Sequence, residues 1–465
     1  MELDIKELKE FFSSLVQVME KNGNYADVLL LKETSLSIST DKSDTTIDNE
    51  EDMGVKLRLF DGEFFHIFSS SGINRELLKQ KAVEFSTLPK KEKVNLIIDT
   101  EKLSKHFTTK PKIDPATISL KEKADLVKSL QAKINNADKL IINARAVYSE
   151  GCETKIFVNR YKQLSYIFNS CFLWLMPYVQ ADNGDVRYHY KGHFSHGYEV
   201  TKIREKVVND LIKMTLAISR AGKLEPGKYT CILSPDTAGL LAHESFCHGM
   251  ESDTIYKGRA KAIEYLGKRI APGYVSIIDN PAFPMRHGSF FFDDEGMLAK
   301  PTYLIKNGIV SDPITDTYSL SRLNEEGIKI CATANARAES FDHKCYARMS
   351  NTYFGEGKTK AKNMIKHVKD GLFLHYSAGG MEDPKGWNVQ IQGIVAEEIK
   401  NGKLTGKLFY EVGMTGYLPT ILANILAVGD KLFIRGAGRC GKGHKEWVRV
   451  SEGGPHLLIK EVDLA

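Results

Sequence analysis

What this sequence lacks narrows its identity first. Its seven cysteines are odd in number and include no Cys-x-x-Cys pair. That argues against a disulfide framework and a zinc knuckle and favours reduced thiols in a cytoplasmic protein. Long apolar runs are missing too. The most apolar stretch, Tyr166 to Val179, is short and contains Asn169 and Ser170, so it reads as a buried strand and not a membrane span. Charge of one sign is scarce: a net +5 over 465 residues is too little to argue for nucleic acid, and the lysines are scattered as on a solvated surface. No long repeat and no low-complexity segment is evident. The opening Met1-Glu2-Leu3-Asp4-Ile5-Lys6 has the character of an amphipathic helix and not a signal peptide. What remains is an ordinary globular composition, 42% hydrophobic and 26% charged, in a chain long enough for two or more domains.

Periodicity divides the chain into two unlike halves. Leu8, Phe11, Phe12, Leu15, Val16 and Met19 recur at helical spacing, with a stop at Asn22-Gly23. A strand is expected over Ala26 to Thr40, then a hairpin over Gly54 to Ser69 turning at Asp61-Gly62. Helices are expected over Arg75–Phe85 and Lys121–Tyr148, with Leu88–Pro115 as a surface connection between them. Lys155 to Arg187 reads as paired strands turning at Asn183-Gly184, and Lys202–Arg220 as a long helix. After Glu225-Pro226-Gly227, strands and turns dominate, with hairpins at Asn307-Gly308 and Asn401-Gly402. Helices are expected there only at the His243 segment, near Lys358–Lys369 and near Pro419–Ala427. The reading is α+β: an N-terminal α+β domain, 1–226, and a mainly antiparallel β domain, 227–465.

The chemistry concentrates in His243-Glu244-Ser245-Phe246-Cys247-His248. Two imidazoles can hold Zn²⁺, and a carboxylate beside them can take a proton from water. The spacing is unusual. Histidines at i and i+4 lie about 40° apart on an α-helix, whereas i and i+5 lie roughly 140° apart. Either the match is accidental, or the helix is distorted or ends at His248, where Gly249 permits a stop.

A catalytic site needs a third ligand. Cys247 is adjacent but diverges on a helix; Glu251 and Asp253 are local carboxylates. Cys440 is remote, in Arg435-Gly436-Ala437-Gly438-Arg439-Cys440-Gly441-Lys442-Gly443. Its glycines suit a loop that approaches another backbone closely, or an ordinary flexible turn with an incidental cysteine.

Other polar groups carry two readings each. Asp293-Asp294-Glu295 before Gly296 reads as a solvated turn in preference to a catalytic cluster. Arg337 suits a peptide carboxylate or an ion pair with Glu339. His189, His193 and His196 read as strand histidines in preference to a second metal site. His444 and His456 lie near Cys440 in sequence and suit supporting positions.

Several stretches occur together in a characteristic order. They are Leu241-Ala242-His243-Glu244, His248-Gly249-Met250-Glu251-Ser252-Asp253, Asp293-Asp294-Glu295-Gly296 and Tyr303-Leu304-Ile305-Lys306-Asn307-Gly308. Arg337-Ala338-Glu339-Ser340, Arg348-Met349-Ser350-Asn351-Thr352-Tyr353 and Cys440-Gly441-Lys442 follow. In these the chain resembles the TldD/PmbA family, and within it the motif-bearing TldD-like branch. The resemblance implies a metallopeptidase with one zinc per active chain, held by His243, His248 and Cys440, with Glu244 as general base. The i, i+5 spacing is also the family's. One position departs from it: Cys247 stands where the family commonly has glycine.

The resemblance further implies small or unfolded peptides as substrates. It also implies a homodimer, or a heterodimer with a sister subunit that lacks the zinc motif. No nucleic-acid or membrane partner is expected. The alternative is a non-enzymatic peptide-binding or regulatory subunit with structural zinc. An intact Glu244 beside two histidines favours the enzyme, because a structural site has no need of a general base.

Overall fold

Alternation of apolar residues builds a long-stranded N-terminal sheet in the computed structural model, which describes residues 3–443 and 445–465. Met1, Glu2 and His444 therefore lie outside the described residues. The helix Ile5–Met19 is capped by Asp4, whose side chain accepts from Glu7 N, and it leaves through a short 3₁₀ turn to Gly23 at φ 75°. Its buried stripe, Leu8 to Met19, packs on Val28, Leu30, Val55, Leu57 and Leu59. The sheet runs Phe65–Ser71, Thr45–Phe60, Tyr25–Thr40, Ile141–Asn159, Lys162–Gln180, Leu103–Thr108. All of these pairings are antiparallel except the last. Helices Leu120–Asn135 and Glu205–Ile218 cover its far end, burying Val127, Ile134 and Leu211 against Ala144, Ala146 and Tyr148.

Three expectations change here. The helix expected to Tyr148 ends at Asn135, and Ile141 begins a strand. Ala144, Ala146 and Tyr148 alternate inward with period two, a pattern hidden by the preceding helical run. The connection Leu88–Pro115 contains the edge strand Leu103–Thr108, which shows no apolar alternation because Ser104, Lys105 and His106 are exposed. The first hairpin strand starts at Thr45, since Asp48 to Asp52 are exposed and carry no core signal.

In the second half, five strands close on themselves. Their order is Asp370–Tyr376, Gly227–Leu233, Leu457–Leu464, Lys403–Tyr417, Asn388–Lys400, and the last pairs back to the first. A second sheet contains Asn351–Phe354, Lys445–Gly454 and Phe433–Lys442. Both asparagine–glycine turns appear as expected, with Asn307 and Gly308 at φ 51° and 80°, and Asn401 and Gly402 at 50° and 74°. Two helices went unforeseen: Ser252–Tyr256, a single short turn or so, and Thr317–Glu325, whose buried apolar residues are only Leu320 and Leu323. Pro419–Ala427 splits into the helix Leu418–Ala423 and the strand Ile425–Val428. Among the described residues, no helix is long and apolar enough to cross a membrane.

The halves share both apolar and ionic contacts. Phe157 and Tyr166 pack with Phe290 and Phe292, and Ile141 and Val179 pack with Val395 and Leu408. Arg58 grips Asp27 through two hydrogen bonds of 2.8 and 2.7 Å and reaches Glu295 at 2.6 Å. Lys155 pairs with Asp294, and Arg449 with Glu153. Asp293-Asp294-Glu295 is thus no solvated turn: Asp293 and Asp294 are buried, and the Glu295 side chain is only 6% exposed, where the halves meet. Burial pushes the Asp293 carboxyl up to about 8, against three backbone N–H donors. Gly296 follows at φ 79°, and a Cβ there would lie 2.2 Å from the Phe157 ring. Removing one partner of a buried ion pair strands the other, at about 3–5 kcal/mol. Arg58→Met strands Asp27 and Glu295 together and should cost at least that much in urea unfolding. A loss under 1 kcal/mol would show that the pair does not join the halves energetically.

Candidate metal centre

The two motif histidines owe their alignment to a change of helical hand-hold. Ser234 caps the helix Pro235–Ala242, with Pro235 in its first turn. At His243 the α-helix gives way to a π turn spanning His243–Cys247. Its i→i+5 hydrogen bonding stacks residues five apart on one side. His243 and His248 consequently face each other, with ring centroids 5.5 Å apart and planes at 89°. The roughly 140° of a regular helix is removed by this distortion. A 3₁₀ turn, His248–Met250, follows, and Glu251 is already extended. Gly249 serves close approach: a Cβ would lie 2.5 Å from Glu382 Oε1, and its N–H donates to Glu382 Oε2 at 2.9 Å.

Cys440 arrives from the other half of the motif set. The glycine-rich segment expected as a loop is a strand, Phe433–Lys442, paired with Lys445–Gly454. Its small residues show as register irregularities at Arg435/Gly438 and Cys440/Lys442, and Gly443 in the turn takes φ 63°. Cys440 Sγ lies 3.1 Å from His248 Nε2. One ligand atom from each of His243, His248 and Cys440 lies within 4.8 Å of the others. His243 is 2% exposed and Cys440 8%.

Zinc–nitrogen and zinc–sulfur arms of about 2.1 and 2.3 Å in a tetrahedron put ligand atoms roughly 3.5 Å apart. Cys440 and His248 already stand slightly closer than that, so the three groups fit a zinc ion after small adjustments, and three protein ligands would leave one tetrahedral position for water or substrate. The electrostatics agree. Burial pushes the Cys440 thiol up, but the neighbouring charges of His248 and His243 outweigh it and hold the thiol well below its usual range. Burial lowers His243, yet the Cys440 thiolate beside it raises the imidazole to about 9. A thiolate is thus ready, and a bound cation would replace the imidazolium protons that balance it.

The remaining local groups sort cleanly. Glu244 Oε2 lies 3.9 Å from His248 Nε2, and burial raises its carboxyl above the ordinary value. Cys247 points into the core, where its Sγ accepts from Thr352 Oγ1 at 3.4 Å, and burial pushes its thiol well up. Glu251 and Asp253, once candidate ligands, both accept from Lys442 Nζ at 2.7 Å. Arg337 is a buried brace: its Nη1 donates to Met349 O at 2.6 Å and to Arg449 O at 2.7 Å.

His189, His193 and His196 form no metal-capable group among the described residues. His189 packs on the Tyr376 ring at 3.9 Å, and burial lowers it to about 3. His196 Nδ1 meets Asn169 O at 2.8 Å. His456 lies against Phe373. A second group, Glu339, His343 and Glu446, escaped sequence reading. His343 Nδ1 lies 3.1 Å from Glu446 Oε2, a contact between a partly exposed imidazole and a buried carboxylate too far apart in sequence to be associated.

The family model for the PmbA/TldA metallopeptidase C-terminal domain matches residues 226–465. A metalloprotease of Methanocaldococcus jannaschii is 27% identical over 442 residues, covering 93% of this chain and 95% of that protein. A Saccharolobus solfataricus protein named zinc metalloprotease TldD homolog is 27% identical over 266 residues, 57% of this chain and 55% of its own. The fold is similar to TldE of Thermococcus kodakarensis, at a TM-score of 0.74 and 14% identity, covering 97% of this chain and 99% of that one.

The two cysteines give the site its test. Zinc measured after exhaustive dialysis should fall well below one equivalent in Cys440→Ser and stay at the parent level in Cys247→Ser. The reverse pattern would overturn the grouping.

Proposed function

The chain belongs to the PmbA/TldA metallopeptidase family, and we propose that it hydrolyses small or unfolded peptides at one zinc held by His243, His248 and Cys440, with Glu244 as general base. The convergence of a π-turn histidine pair with Cys440, beside a carboxylate that is not needed as a ligand, supports this reading. Zinc bound there would acidify a water and polarise the scissile carbonyl, more mildly with a thiolate ligand than with three imidazoles. Glu244 takes the proton of the attacking water and returns it to the leaving amine. Its burial strengthens its hold on that proton while the bond breaks.

The wall beside Glu244 supports this substrate form. Among the described residues, the strand Gly379–Asp383 has a single strand partner, Asn388–Lys400, and its other edge is open. Glu244 packs against Gly380, where a Cβ would lie 2.7 Å from Glu244 Cγ. A peptide adding to this edge would run past the general base through main-chain hydrogen bonds, with little demand on sequence. A folded domain holds its strands within its own sheets and loops, so it offers no extended segment long and mobile enough to reach past Glu244. A dimer, either homodimeric or with a sister chain lacking the zinc motif, and a cytoplasmic setting belong to the same proposal. The non-enzymatic alternative, a peptide-binding subunit with structural zinc, leaves Glu244 without a role.

Glu244→Gln should retain zinc and fold while peptide cleavage falls by about 10²–10⁴-fold, the usual worth of a general base. Activity within a few-fold of the parent would remove Glu244 from the mechanism. Mass spectrometry of digests should show cleavage of an unstructured peptide library and none within a stable folded domain. Efficient cutting inside the folded domain would contradict strand addition. No cleavage of any peptide, with zinc bound and a candidate sister chain supplied, would favour the binding subunit.

A further inference from the structure

A neutral imidazole carries one ring proton, and the group bonded to one nitrogen decides which nitrogen is left for a metal. His248 is held from both sides. Its Nε2 faces Cys440 Sγ at 3.1 Å, and its Nδ1 faces Glu251 Oε1 at 3.4 Å. Glu251 is 2% exposed, so water does not carry its charge; two cations do. Lys442 Nζ meets its Oε2 at 2.7 Å, and Arg348 Nε its Oε1 at 3.2 Å.

Both cations also belong to the cysteine side of the site. Lys442 lies two residues beyond Cys440 on the same strand. Arg348, fully buried, donates from Nη2 to the Cys440 carbonyl at 2.9 Å. One carboxylate thus joins the histidine turn to the cysteine strand. Glu251 Oε1 meets His248 Nδ1 and Arg348 Nε as charge contacts outside hydrogen-bond geometry, whereas His243 Nδ1 is buried with no hydrogen-bond or ion-pair partner among the described residues.

We infer that Glu251 is a positioning residue for the metal. It accepts the Nδ1 proton of His248, which fixes Nε2 toward the ion, and through Arg348 and Lys442 it holds Cys440 at the same distance before any ion arrives. This rests on the reading of His248 and Cys440 as ligands. Partners of this kind commonly change metal affinity by about 10–100-fold.

The test uses the full chain, loaded with zinc and labelled with ¹⁵N-histidine. Long-range ¹H–¹⁵N correlation should show His248 protonated at Nδ1 and metal-bound at Nε2. Zinc affinity, measured by competition with a chromophoric chelator, should fall by about 10–100-fold in Glu251→Ala. In Glu251→Gln the fall should be smaller, because the amide oxygen still accepts. Lys442→Met, which keeps the carboxylate and cuts one of its two ties to the cysteine strand, should also weaken binding and carries the test if Glu251→Ala does not fold. A merely structural role would lower thermal stability while leaving the ring proton and the affinity in place. The inference is overturned if His248 binds through Nδ1, or if affinity in the folded variants stays within two-fold of the parent. A parent chain that binds no zinc at these three residues overturns the ligand reading as well, which separates the two failures.

Discussion

The π turn at His243–Cys247 is the constraint on which the rest of the site depends. A separation of five positions between the two histidines is wrong for one face of an α-helix and right for a single i→i+5 turn. Such a turn is rare because its backbone geometry is poorer, so surrounding packing must hold it. Here Phe246, Cys247 and Met250 are all fully buried, in one core with both C-terminal sheets. Phe246 lies 5.6 Å from the Trp387 ring, and Gly249 lets Glu382 close over the turn. A sequence of these residues on a solvated helix would relax to α geometry and separate its imidazoles.

Burial does comparable work where the halves meet. Charged side chains fill that boundary, with Arg58, Lys155 and Arg449 matched to Asp27, Glu295, Asp294 and Glu153. Pairs of this sort add little over an apolar contact of equal size, but they penalise any register in which a partner is missing. Position is what they fix, and the strand that carries Cys440 is hydrogen-bonded to the strand that carries Arg449.

Much of this was legible in the residues, and the failures have physical causes. Tight turns read correctly because asparagine and glycine at φ above zero leave few alternatives. The histidine pair was legible as chemistry, and its spacing pointed to a distorted helix. Periodicity has no signature for a π turn, so the distortion itself could not be located. Cys440 could be paired with the histidines only through resemblance, since nothing local links residues so distant. The glycines around it suggested a loop, whereas they allow a strand to bend at two irregularities. Asp293 to Glu295 looked solvated because sequence does not reveal that Arg58 and Lys155 lie opposite. Glu251 offered itself as a ligand, and its true partner, Lys442, was hidden by the same distance that hid Cys440.

That distance has a thermodynamic side. His248 and Cys440 are 192 positions apart, so an ion that binds both ties off a loop of that length. A cross-link of this span removes chain entropy from the unfolded ensemble worth on the order of 5 kcal/mol, comparable to the whole net stability of many domains. An ion held there would be a clasp as well as a reagent, and a chain deprived of it would give up part of its resistance to unfolding along with its chemistry.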